Sequence, residues 1–250
     1  MPVIYLAFFL WVCYTYSMST ILEYQHVCKN FGDKEVLKDI NLQIPAGKVV
    51  GMLGKNGSGK STLFKLANDL LTATSGKILI DGRPVGVATK QIVAYLPERT
   101  YLDVSMRVRD VIKMFATFYA DFDQAKAEQL LLDLQLDQEM RLSKMSKGMK
   151  EKVQLVMVMS RRAKLYILDE PLGGVDPASR DYILQTILKN FNQDATLLIS
   201  THMIADIEKI LDEVVIIDNA GIVLHENADK LRKQEKCSID EIFRRRFYVK

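Results

Sequence analysis

From Ile21 to Ile44 apolar and polar residues alternate, interrupted by the Phe31-Gly32-Asp33 turn. This period of two predicts a pair of antiparallel strands with one buried face. Lys48 to Leu53 is a short apolar run ending at a glycine-rich loop, and Ser61 to Leu71 continues with helical spacing. Lys77 to Ile80, then Asp81-Gly82, then Arg83 to Val85 reads as a hairpin. Between roughly Tyr101 and Ser143 glycine disappears, and Leu130, Leu131 and Leu134 recur at helical intervals. Leu165–Leu168, Thr196–Ile199 and Val214–Ile217 then return as unbroken β-type runs, the pattern of strands buried on both faces of a parallel sheet. Helical stretches separate them. The expected architecture is an α/β fold with a mainly parallel sheet, an N-terminal antiparallel β subdomain and an inserted α-helical lobe at about 99–148.

Two features qualify this picture. Met1 to Leu22 carries no charged side chain, and Val3 to Tyr14 is continuously apolar and aromatic. It lacks the basic start and cleavage site of a signal peptide and is shorter than the roughly 20 apolar residues of a spanning helix. Residues 1–17 are therefore set apart as an apolar N-terminal extension, either an upstream addition with Met18 the true start or a membrane-contacting segment, with residues 18–235 the main domain and 236–250 a tail. Charge adds little. A net charge of +3 argues for neither nucleic acid nor an anionic membrane surface, and Arg244-Arg245-Arg246 reads as a solvated helix face. Cys13, Cys28 and Cys237 are odd in number and widely spaced, matching neither a zinc site nor a disulfide framework.

The chemistry begins at Gly54-Lys55-Asn56-Gly57-Ser58-Gly59-Lys60-Ser61, which satisfies G-x-x-x-x-G-K-[ST] between a strand and a helix. Its glycines let backbone N–H groups curl around a β-phosphate. Lys60 brings a point charge, the Ser61 hydroxyl can ligate Mg²⁺, and the helix that opens here, through Thr62, adds its positive end. This is a P-loop NTPase core. Leu165 to Leu168 delivers Asp169 and Glu170 to a strand end. Asp169 suits the metal, and Glu170 can polarise a water against the γ-phosphate.

The order of further motifs resembles the nucleotide-binding domain of an ABC transporter. After the P-loop and the helical insert come Met145-Ser146-Lys147-Gly148-Met149, Asp169-Glu170-Pro171, Gly174-Val175-Asp176 and Ser200-Thr201-His202. The resemblance spans Thr20 to about Val223. It implies that Ser146, Lys147 and Gly148 stand in the signature that meets the γ-phosphate of an opposite subunit, so that two chains sandwich two nucleotides. Lys147 replaces the usual first glycine of that signature and Met149 the usual glutamine. The lysine adds a charge toward phosphate or points to solvent. By the same resemblance His202 holds the γ-phosphate and the catalytic water, and Asp176 links the two sites across the dimer. Phe31 stacks on adenine or is a turn aromatic. Glu98, in Tyr95-Leu96-Pro97-Glu98, stands where a glutamine that touches Mg²⁺ is usual. Its extra charge opposes the phosphates, so it ligates the metal directly, acts through water or swings out.

The function these residues imply is the ATP-hydrolysing subunit of a transporter, with ATP and Mg²⁺ as cofactors. Its partners would be a second copy or another ATPase subunit and a separate transmembrane permease, which would hold it at the inner face of the cell membrane. The short tail from Ser238 to Phe243 resembles exporter rather than importer subunits. A regulatory or non-transport ABC-type ATPase is the alternative. The chain has neither a second P-loop nor the long heptads of the repair members.

Overall fold

The computed structural model describes residues 19–173, 175 and 177–248; the expected extension at 1–17 and the start at Met18 lie outside them. Chain order runs β1 (Thr20–Phe31), β2 (Lys34–Pro45), β3 (Val49–Leu53), α1 (Lys60–Ala67), β4 (Ser75–Ile80), β5 (Arg83–Pro84), α2 (Val87–Lys90) and β6 (Val93–Leu96). The helical stretch follows, with α3 (Val108–Phe118), α4 (Gln124–Asp133) and α5 (Lys147–Met159). Then come β7 (Leu165–Asp169), α6 (Pro177–Asn190), β8 (Thr196–Ser200), α7 (Ile204–Ile207), β9 (Glu213–Asp218), β10 (Gly221–Asn227), α8 (Ala228–Glu235) and α9 (Ile239–Tyr248).

Two sheets result. One has the order β2-β1-β4-β5 and is antiparallel throughout; the other has the order β10-β9-β3-β8-β7-β6, parallel except at β10. The β4–β5 turn places Asp81 and Gly82 at φ +52° and +72°, the sign that suits the twist of a two-residue hairpin.

The apolar runs of β3, β7, β8 and β9 lack a polar alternation because each strand faces two cores. Leu53, Tyr166, Leu168, Leu197, Ile199, Val214 and Ile216 point to one, packed with the helical lobe and α5. Val50, Met52, Leu165, Ile167, Leu198, Val215 and Ile217 point to the other, packed with α1 and the antiparallel sheet. Each such side chain, fully buried, contributes roughly 1.5–3 kcal/mol. The chemistry-bearing strand ends are thus held from above and below.

The lobe joins the larger core through Val108, Val111, Ile112 and Phe115 of α3, spaced as one helical face. Asp123 caps α4 by accepting the Lys126 N–H at 3.0 Å. Arg161 clamps this layer to the sheet. Only 3% exposed, it donates to Asp121 and to the Val93 and Gln91 carbonyls, each at 2.8 Å. Its guanidinium also lies 3.8 Å from the Tyr119 ring centroid. The segment read as a tail is helical, with Ile239, Ile242 and Phe243 buried in the same core. Among the described residues no helix is long and apolar enough to cross a membrane.

Candidate active site

β3 ends at Leu53 and α1 begins at Lys60, so the loop between them is confined by its two anchors. At Gly54 a Cβ would lie 2.5 Å from both the Ile217 carbonyl oxygen and Ser58 Oγ. Gly59 sits at φ +111°, which other residues rarely adopt. Both positions therefore require glycine. The Lys60 side chain folds inward and donates to the Gly54 carbonyl at 2.7 Å and the Lys55 carbonyl at 3.2 Å. Burial lowers its pKa, and the nearby Glu170, Asp169 and Glu98 carboxylates act in the opposite direction.

On the neighbouring strands, parallel pairing sets Asp169 opposite Ser200. The Ser200 hydroxyl donates to Asp169 Oδ1 at 2.6 Å. Burial raises the Asp169 pKa, hydrogen bonds from Ser200 and Ser61 lower it, and Glu98 and Glu170 raise it further. Glu170 takes a left-handed turn, φ +51°, held by N–H donation to the Ser200 carbonyl and hydroxyl at 3.1 and 3.0 Å. That turn brings its Oε2 to 2.8 Å from His202 Nδ1. Glu170 is mostly buried, whereas half of the His202 side chain is exposed. A carboxylate and an imidazole so paired can orient and deprotonate a water beside them.

A cavity of about 970 Å³ brings most of the expected residues together. Lys60, Ser61, Glu98, Glu170 and His202 share its wall, with Phe31, Asn56, Gly57, Gly59, Thr62 and Lys147 around them. Phe31 is half-exposed at the end of β1, the Lys29 ammonium 4.9 Å from its ring centroid. Ser146 and Gly148 line an adjoining cavity of about 240 Å³, shared with Glu98, Asp169 and Glu170. Ser146 caps α5, accepting the Met149 N–H at 3.2 Å. The Lys147 side chain is 83% exposed, its ammonium 3.7 Å from Glu151. Asp176 and Gly174 lie outside the described residues.

Ser200 and Lys150 join the site without a chemical motif of their own in the sequence. Ser200 orients Asp169, and the only signal was its place in Ser200-Thr201-His202. Lys150 shares the larger cavity one helical turn after Ser146. The described residues hold no ready-made cluster of three or more His, Cys, Asp or Glu side chains for a metal. Glu98, Asp169 and Glu170 nevertheless line the smaller cavity together, and Glu98, Glu170, Lys60 and Ser61 line the larger one. With the Ser61 hydroxyl beside Asp169, that donor set fits a small hard cation that completes its shell with phosphate and water.

A sequence model of the family described as ABC transporter matches residues 37–173, from β2 through the Asp169-Glu170 turn. The chain belongs to the ABC transporter family. It is the ATP-binding subunit, an ABC transporter ATPase. The ABC transporter ATP-binding protein YtrB of Bacillus subtilis (strain 168) is 28% identical over 217 residues, covering 86% of this chain and 74% of YtrB. The lantibiotic transport ATP-binding protein SrtF of Streptococcus pyogenes is 28% identical over 224 residues, covering 89% of this chain and 97% of SrtF. A solved ATP-binding subunit of an ABC transporter superposes with a TM-score of 0.79 at 29% identity, covering 90% of this chain and 98% of that one. A solved ATP-binding cassette bound to ADP and Pi, dimeric in its own structure, shares the fold with a TM-score of 0.73 at 18% identity, covering 83% of this chain and 99% of that one.

Proposed function

We propose that this subunit pairs with a second ATPase subunit around two MgATP molecules, hydrolyses the ATP and thereby drives a separate membrane permease in the export direction. The observation that carries the hydrolytic role is the Glu170–His202 pair, 2.8 Å apart and facing the same cavity as Lys60. Lys60 and the loop N–H groups bind the β- and γ-phosphates, and Phe31 offers a face for the adenine. Glu170 accepts a proton from the attacking water, and His202 holds that water and the γ-phosphate in line. Asp169, Ser61 and Glu98 would hold Mg²⁺, which supplies Lewis-acid neutralisation of the phosphate charge.

The exposed start of α5, with Ser146, Lys147 and Gly148, is the surface offered to the nucleotide of the partner subunit. Asp176 is proposed as the link between the two sites. Lantibiotic transport by SrtF favours export of a peptide compound. Cytoplasmic placement at the inner membrane face follows from the permease contact. Purification of the tagged full-length chain from detergent-solubilised membranes, with MgATP present, tests the assembly. A co-purifying polypeptide with several hydrophobic spans is expected; exclusively soluble partners would overturn the transport reading.

A further inference from the structure

The last helix reaches back to the phosphate loop. α9 opens on a capping box, in which Ser238 Oγ accepts the Glu241 N–H at 3.1 Å and the Glu241 carboxylate accepts the Ser238 N–H at 3.2 Å. The Asp240 N–H donates to the Glu208 carboxylate at 3.1 Å. Glu208 directly follows α7, the short helix after His202. Ile239, Ile242 and Phe243 anchor α9 in the larger core. Near its end the Phe243 and Phe247 ring centroids are 4.5 Å apart, and the Lys55 ammonium lies 5.5 Å from the Phe247 centroid. Lys55 is the second residue of the phosphate loop. Its carbonyl accepts both the Ser58 N–H at 3.1 Å and the Lys60 ammonium at 3.2 Å. α9 is thus joined to both flanks of the site, through Glu208 on the His202 side and through Phe247 on the loop side.

We propose that Phe247 is a positioning residue for nucleotide binding. Its ring holds the Lys55 ammonium by a cation–π contact, and the Lys55 backbone in turn fixes the turn on which the Lys60 ammonium rests. Asn56, Gly57 and Lys60 line the nucleotide cavity, whereas the Lys55 ammonium is directed at Phe247. Lys55 therefore acts on the phosphates through loop geometry. Ordering the loop beforehand strengthens nucleotide binding, because less freedom is lost when ATP arrives.

The proposal rests on the ATP-binding role of this loop and is tested with the full-length chain. The dissociation constant of a fluorescent ATP analogue is measured in EDTA, where turnover cannot interfere, alongside the melting temperature. Phe247→Leu keeps the apolar packing and removes the ring, and Lys55→Met keeps the stem and removes the charge. Each is expected to weaken binding about two- to fivefold, the size of an exposed cation–π contact. The double variant should bind no more weakly than either single one, and Phe247→Trp should restore wild-type affinity. Wild-type affinity in Phe247→Leu, or double-variant losses equal to the product of the single ones, would overturn the proposal. Lys60→Ala is the control for the loop itself; unchanged binding there would overturn the reading on which the proposal rests.

Discussion

At the scale of single residues, the site concentrates unfavourable charge and is stabilised by what it binds. Asp169 is 1% exposed and its pKa is raised, chiefly by burial. A carboxyl group whose folded pKa exceeds its unfolded one favours the fold below the unfolded pKa. That contribution is lost as pH rises through the folded value. Asp169→Asn should therefore raise the melting temperature at neutral pH, by on the order of 2–4 °C per kcal/mol relieved. The gain should shrink as pH falls into the range where wild-type Asp169 takes up its proton. Differential scanning calorimetry from pH 4 to pH 8 follows it, and a melting point lowered at pH 7 would contradict the assignment. His202→Ala should lower turnover about 10²-fold or more while leaving nucleotide affinity within a few-fold, because the imidazole is one phosphate contact among several and its larger role is on the water. Glu170, Lys60 and His202 were legible in the sequence because each follows a local motif. Ser200 was not, since its bond to Asp169 depends on a register between strands far apart in the chain.

At the scale of elements, Arg161 is the residue whose loss should cost most. It links α5 and the lobe to the backbone of β6, next to the segment that carries Glu98. Arg161→Ala leaves Asp121 and two backbone carbonyls without their donor. The expected cost is about 3 kcal/mol in urea unfolding; a change under about 0.5 kcal/mol would show that the lobe is held by its apolar face alone. The strands β3, β7, β8 and β9 could be read in advance because two-sided burial demands unbroken apolar runs. The four-residue β6 and the edge strand β10 carry shorter or mixed patterns, Val93–Leu96 and Gly221–Asn227, that periodicity does not distinguish from loop. The lobe was visible through its leucines and lack of glycine. Its attachment was not, because Arg161 reads as an ordinary surface arginine until its partners are known.

For the whole molecule, ATP binding should appear as global stabilisation. At a concentration one hundred times the dissociation constant, a ligand adds about 2.7 kcal/mol, or roughly 5–10 °C in a domain of this size. Lys60→Ala should abolish that shift in a thermal melt while folding normally, and an undiminished shift would move the nucleotide elsewhere. The entry of Ile239, Ile242 and Phe243 of the C-terminal segment into the main core is not visible in the sequence, because their partners lie far off along the chain. The helix of that segment belongs to the layer that carries the site. The most direct test of the account is steady-state ATP hydrolysis by the purified chain with Mg²⁺, wild type against Glu170→Gln. The account predicts measurable wild-type turnover and a loss of about 10²-fold or more in the variant, with ATP still bound. Hydrolysis by Glu170→Gln at the wild-type rate would contradict it.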